Sequence, residues 1–254
     1  MRKIGLALGG GSARGLAHIG LLQVFEEEKI PVHLVVGTSI GSMIGAFYAA
    51  GTNLQYLTGI ARHLNWQQIL DPKFSRLGLC RGDKLEELVA LLVGRKTFQD
   101  LKLPFAAVAC DLKTGQEVLL SEGDVARAVR ASCSLPGIFK PVQWGDKLLV
   151  DGGVCGRLPV KAARKFGADL VIAVDVGGWP KQGEIKNAFQ VLNQTFHIFE
   201  ARLAQEQGSE AELFIRPNVG QIGPERLDLA DELIALGREA AVKALPQLQK
   251  MIGS

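Results

Sequence analysis

The chain has 254 residues, long enough for one large α/β domain or two small ones, and its formal net charge of +3 is too small and dispersed to mark a nucleic-acid partner. Four cysteines, Cys80, Cys110, Cys133 and Cys155, form no CxxC pair, which argues against a zinc site and a disulfide framework. With 47% hydrophobic residues a core is easily filled, yet no apolar run reaches the roughly 18 to 20 residues of a membrane span and no cleavable leader is read at Met1-Arg2-Lys3, so the expected location is the cytoplasm.

Residues 3–8 read as a short buried strand that runs into Gly9-Gly10-Gly11-Ser12-Ala13-Arg14-Gly15, and residues 16–28 follow as a helix. Glycines ahead of a helix N-terminus let backbone N–H groups approach an anion closely, with Arg14 bracing the loop or adding charge. Gly9, Gly11 and Gly15 follow G-x-G-x-x-x-G, not the G-x-G-x-x-G of a dinucleotide site, and Glu26-Glu27-Glu28 lies on the helix instead of ending a second strand. No nucleotide-triphosphate loop of the form G-x-x-x-x-G-K-[ST] occurs. Taken alone, the loop fits a dinucleotide phosphate or a developing oxyanion equally well.

Residues 33–37 form a second strand and 40–50 a helix of small residues, with Gly37-Thr38-Ser39-Ile40-Gly41 at the junction. This G-x-S-x-G is the pattern of a sharp strand-to-helix turn, where Gly37 and Gly41 leave room and the Ser39 hydroxyl stays exposed at a helix N-terminus. With 30 Gly in the chain, about 0.13 such matches arise by chance, so the motif in this context points to a nucleophile. One βα unit after the glycine loop, it favours acyl transfer over nucleotide binding.

Residues 54–81 have the weakest pattern and are expected to form an insertion or lid over the sheet. Further strands are expected at 105–111, 118–121, 148–150, 170–176 and 213–216, with Trp144-Gly145-Asp146-Lys147 as a hairpin turn. The alternation predicts an α/β fold with a largely parallel central sheet flanked by helices, in one domain over residues 1–254. In the last helix Ala230, Leu233, Ile234, Gly237, Ala241, Ala244, Leu245 and Leu248 make one apolar stripe. Its polar face mixes both signs, so the helix is expected to pack on the core and not on a membrane.

A serine nucleophile needs a base. A late, loop-borne histidine is the usual partner, but His18, His33 and His63 come early, and His197 lies inside a predicted helix. Asp151 ends an apolar strand and precedes Gly152-Gly153. Such an aspartate is either a turn former or, partly desolvated beside a hydroxyl, a base of raised proton affinity.

The three blocks, Gly9 to Gly15, Gly37 to Gly41 and Asp151 to Gly153, resemble in order and spacing those of the patatin-like phospholipases. The stretches Cys110-Asp111-Leu112-Lys113-Thr114-Gly115 and Ala131-Ser132-Cys133-Ser134-Leu135-Pro136-Gly137 look like the family's connecting segments. The likeness covers residues 3–176, and the C-terminal helix looks like that of small bacterial members. The resemblance implies a three-layer fold and a Ser39–Asp151 dyad, with no metal or cofactor. It further implies an oxyanion loop of Gly9, Gly10 and Gly11, in which the N–H groups of Gly10 and Gly11 hold the oxyanion and Arg14 supports them. The substrate would be an acyl ester or phospholipid, met by transient contact with a membrane surface; residues 54–81, from their place over the sheet, are expected to form part of the acyl pocket. One departure stands out. The family often has asparagine where this chain has Arg157, which cannot accept hydrogen bonds and so leaves support of the aspartate loop in question. A low-turnover regulatory or adaptor protein is therefore the alternative.

Overall fold

The computed structural model of the protein describes residues 2–178 and 185–253. In chain order the strands are β1 (Ile4–Leu8), β2 (Leu34–Thr38), β3 (Pro72–Ser75), β4 (Gly78–Cys80), β5 (Phe105–Asp111), β6 (Glu117–Leu120), β7 (Val142–Trp144), β8 (Lys147–Asp151), β9 (Leu170–Val174) and β10 (Leu213–Ile215). The helices are α1 (Ala17–Glu27), α2 (Ile40–Ala50), α3 (Leu54–His63), α4 (Trp66–Ile69), α5 (Asp83–Val93), α6 (Val125–Ser132), α7 (Val160–Lys165), α8 (Ala188–Gly208) and α9 (Ala230–Gly253).

The main sheet has the order β10-β9-β1-β2-β5-β8-β7, with β6 also paired to β5. From β10 to β5 all neighbours are parallel, whereas β6, β8 and β7 join antiparallel. The parallel part is largely buried on both faces, which is why β1, β2, β5 and β9 read as unbroken apolar or small-residue runs. Leu6, Leu8 and Val35 face a large core shared with α1, α2, α5 and α9, while Ala7, Val36 and Val171 face a smaller one under α7 and α8. The layers are thus helix, sheet and helix.

Three features depart from the sequence pattern. The helix expected from residue 16 is preceded by a 3-10 turn, Ser12–Leu16. The ninth strand stops at Val174, because Asp175 turns its side chain into a buried ion cluster and the chain leaves the sheet through Gly177. Residues 54–81, weak in pattern, fold as α3, α4 and the β3–β4 hairpin, with Asn53 and Asn65 capping the two helices.

Register decides what meets what. Thr38 at the end of β2 is level with Val108 of β5, and the next residue, Ala109, is level with Asp151 of the antiparallel β8. The last residue of β8 therefore stops beside the turn after β2. At the far side of the larger core, α9 crosses α1 at bare backbone: a Cβ on Gly20 would come within 1.9 Å of Ile234 O, and one on Gly237 within 1.9 Å of Ala17 O. Arg238 closes this crossing on Glu27 at 2.7 Å and 2.8 Å. The apolar stripe of the last helix thus packs on the core. Gly237→Ala should overpack the crossing and destabilise the protein by about 1–3 kcal/mol. Urea unfolding checks this, and a variant as stable as wild type would contradict the close crossing.

Candidate active site

Ser39 forms the turn between β2 and α2, with φ 53 and ψ −127, a backbone region that non-glycine residues seldom occupy. Both flanking glycines are required by space. A Cβ on Gly37 would lie 2.3 Å from Gly41 O, and one on Gly41 would lie 2.1 Å from Leu8 O. The turn is pinned from two sides. The Ser39 N–H donates to Ser132 Oγ (2.9 Å), whose hydroxyl donates to Val108 O (2.6 Å), and the Ser42 hydroxyl donates to Ser39 O (2.6 Å).

Asp151 is 3% exposed, and its carboxylate accepts the Gly153 N–H at 2.8 Å while its own N–H donates to Ser134 O at 3.0 Å. The Ser39 side chain lies near enough to this carboxylate to favour its charged form. Burial pushes the Asp151 carboxyl up to about 7, against the pull of the Ser39 and Gly153 hydrogen bonds, and the nearby charge of Glu200 adds to the rise. Gly152 must be bare because a Cβ there would lie 2.4 Å from Val108 O.

The glycine loop closes over Ser39, with a Cβ position on Gly10 only 3.4 Å from Ser39 Cβ. Its donors differ from the expectation. The Gly9 N–H is taken by Val174 O (2.9 Å) and the Gly10 N–H by Arg157 O (3.0 Å), so these two hold the loop in place instead of facing a ligand. Among the described residues the N–H groups of Gly11 and Ser12 have no internal acceptor, and both residues line the cavity at Ser39. Sequence reasoning missed Ser12, whose φ of 54 marks a second strained turn. Arg14, almost fully buried, donates from Nε to Ile222 O at 2.6 Å, which ties the 3-10 turn after the glycines to the segment around Ile222.

The histidines divide. His18, fully buried, sits 2.9 Å by Nε2 from Gly9 O, and burial holds it down to about 4, so it is neutral and donates to the loop from behind. His33 Nδ1 accepts the Ile4 N–H at 3.0 Å, away from the cavity. His197 lies mid-helix in α8, as the periodicity implied, but α8 folds over the site and brings Gln194, His197 and Glu200 to the cavity wall.

Arg157 takes a structural position. It is 5% exposed and forks onto Asp175 at 3.0 Å and 3.2 Å, and Arg216 meets the same carboxylate at 3.0 Å. Burial alone would raise Asp175, but the Arg157 guanidinium holds it below the usual carboxylate range. Through its carbonyl, Arg157 anchors Gly10, so it supports the glycine loop and not the aspartate loop.

A cavity of about 530 Å³ opens at Ser39 and is walled chiefly by apolar side chains, among them Met43, Phe47 and Leu88. Leu57, Ile60, Leu64, Trp66 and Ile69 of residues 54–81 supply one wall. Trp66 fastens it by donating from Nε1 to Glu225 O at 2.6 Å.

A family model described as patatin-like phospholipase matches residues 6–164. An uncharacterized NTE family protein of Mycobacterium tuberculosis is 37% identical over 179 residues, which cover 69% of this chain and 49% of the relative. Lysophospholipase nte1 of Emericella nidulans is 35% identical over 280 residues, covering 98% of this chain and 18% of the relative. The chain thus spans about half the length, or less, of the curated relatives it matches. Among solved structures, VipD from Legionella pneumophila aligns over 97% of this chain and 67% of its own with a TM-score of 0.69 at 14% identity. The type III effector protein ExoU aligns over 98% and 53% with a TM-score of 0.55 at 17% identity. At such identities these two speak for the fold alone.

The raised Asp151 carboxyl has a consequence for stability. Below about pH 4 it is protonated in both folded and unfolded chains; between about 4 and 7 only the folded chain keeps the proton, so stability falls as pH rises through that window. Asp151→Asn abolishes this loss. Urea unfolding should find the variant gaining on wild type by on the order of a few kcal/mol between pH 4 and pH 8. An equal difference at both pH values would show that the buried carboxyl is not raised.

Proposed function

The chain belongs to the patatin-like phospholipase family, and from that premise we propose that it is a serine acyl hydrolase of lipid esters. Ser39 is the nucleophile, Asp151 the base, and the N–H groups of Gly11 and Ser12 are the oxyanion donors. The observation that supports this most is the meeting of a serine at positive φ with a buried aspartate at the mouth of an apolar cavity.

The acyl chain enters the cavity and places its ester carbonyl over Ser39. Asp151 takes the Ser39 proton as Oγ bonds to the carbonyl carbon, and the carbonyl oxygen, now negative, accepts from Gly11 and Ser12. The alcohol leaves with the proton from Asp151, and an acyl-enzyme remains. Asp151 then takes a proton from water as it attacks the acyl carbon and returns that proton to Ser39 Oγ as the fatty acid leaves. A base of proton affinity near neutrality is suited to both halves, since it must accept a proton and return it.

The names of the lysophospholipase relatives favour a phospholipid or lysophospholipid as the ester. The substrate is met at a lipid surface by transient contact; no helix among the described residues is long and apolar enough to cross a membrane. The low-turnover alternative loses its motive, because Arg157 has a use in the ion pair with Asp175.

Wild type should hydrolyse a medium-chain nitrophenyl ester and lysophosphatidylcholine and take a fluorophosphonate label. Ser39→Ala and Asp151→Asn should each lose roughly 10³-fold or more in kcat, and Ser39→Ala should not label. Full activity in Ser39→Ala would overturn the assignment. Ile60→Trp, which fills the wall of the cavity, should move the preference along a series of nitrophenyl esters toward shorter chains; an unchanged ranking would mean that the chain lies elsewhere.

A further inference from the structure

Glu200 is a charged group that the reaction above leaves unused. Its side chain is only 13% exposed, on the face of α8 that covers Asp151. A Cβ on Gly153 would come within 2.3 Å of Glu200 Oε1 and 3.1 Å of Asp151 Oδ1, so the two carboxylates meet across one bare glycine. The other oxygen, Glu200 Oε2, is 3.2 Å from His197 Nδ1, one turn earlier on the same helix, which fixes the side chain. Ser39, Asp151, His197 and Glu200 all face the one cavity. Two carboxylates packed this closely repel, and one of them is driven toward its neutral form.

Resting on the assignment of Asp151 as base, we propose that Glu200, held by His197, is a positioning residue for catalysis that acts through Asp151, setting a second negative charge against the base. Before reaction two negative charges face each other across Gly153. When the Ser39 proton moves to Asp151 one of them is neutralised, and the repulsion is relieved at the step that makes the nucleophile. The electron pair left on Ser39 Oγ forms the bond to the carbonyl carbon. The proton departs with the alcohol, which restores both charges for the water step.

Among the described residues no other group around Asp151 serves in this way. On its own loop it meets the Gly153 N–H, and at the start of α2 the Ser39 hydroxyl, both of which favour the charged form. Cys133, just after α6, stays a thiol because burial pushes it up to about 12. Cys110 on β5 donates its thiol to Asp111 O at 3.9 Å. Arg14 and Arg157 face the cavity but are bound to Ile222 O and Asp175. After burial, Glu200 is the remaining influence that raises Asp151. Removing its charge should lower the proton affinity of Asp151, so that the base stays deprotonated to lower pH but accepts a proton less readily.

The test is the pH dependence of kcat/KM on a soluble short-chain nitrophenyl ester for wild type, Glu200→Gln and Glu200→Asp, with the rate of fluorophosphonate labelling followed in parallel. In Glu200→Gln the acid limb should move to lower pH by about half to one pH unit, and the rate at pH 9 should fall about two- to fivefold. Glu200→Asp, which keeps the charge but draws it back, should place the limb between the other two. A limb that does not move in either variant, while Ser39-dependent hydrolysis persists, overturns the role of Glu200 alone. Wild type without any Ser39-dependent hydrolysis or labelling overturns both this role and the assignment beneath it.

Discussion

The site depends on one backbone constraint, the positive φ of Ser39. Holding a non-glycine residue there costs on the order of 1–3 kcal/mol and persists only where the surroundings leave no alternative. Here they leave none. Gly41 packs against Leu8 O on one side, Ser132 holds the Ser39 N–H from the end of α6, and Ser42 holds its carbonyl from within α2. Relaxing Ser39 to an ordinary conformation would break all three contacts and turn the hydroxyl away from the cavity.

Around this turn, polar groups are buried in matched sets. Asp111 gathers N–H and hydroxyl donors from Lys113, Thr114 and Leu148, which fastens the start of β8 to the end of β5. Arg130, inside the protein, reaches Ser134 Oγ and the carbonyls of Arg81 and Lys140, and Ser134 O in turn receives the Asp151 N–H. Asp175 pairs with both Arg157 and Arg216 behind the glycine loop. Removing one member of such a set leaves a buried group without its partner, which costs far more than the set contributes when whole. Asp151 is the exception. It is buried with hydrogen bonds but no cation, and a raised proton affinity follows from that.

The cavity extends this logic to substrate. Small residues along α2 and the bare glycines of the two loops bring backbone close to Ser39, and the larger apolar side chains stand back to leave a chamber. Ser39, Asp151 and the α8 side chains of Gln194, His197 and Glu200 are among its polar groups, and the proposed reaction would set an apolar chain with its tail among the leucines and its carbonyl at the serine.

The sequence by itself determined much of this. Strands with unbroken apolar runs, the alternation of strand and helix, and the apolar stripe from Ala230 to Leu248 gave the layered sheet and the seat of α9, because burial imposes its period on the chain. Ser39 and Asp151 were legible because a strained turn and a strand end admit few residue types, and glycines stand on both sides of the first and after the second. What only the tertiary structure decided was which donors are free and which charges meet. Gly10 reads like Gly11 in sequence, and only the placement of the Arg157 carbonyl occupies one N–H and leaves the other. His197 and Glu200 look like ordinary helix residues, and nothing within α8 says that this face lies over Asp151. Hydrogen-bond partners and like-charge contacts arise between segments far apart in the chain, so no local pattern encodes them. They exist once the register of β2, β5 and β8 has brought those segments together.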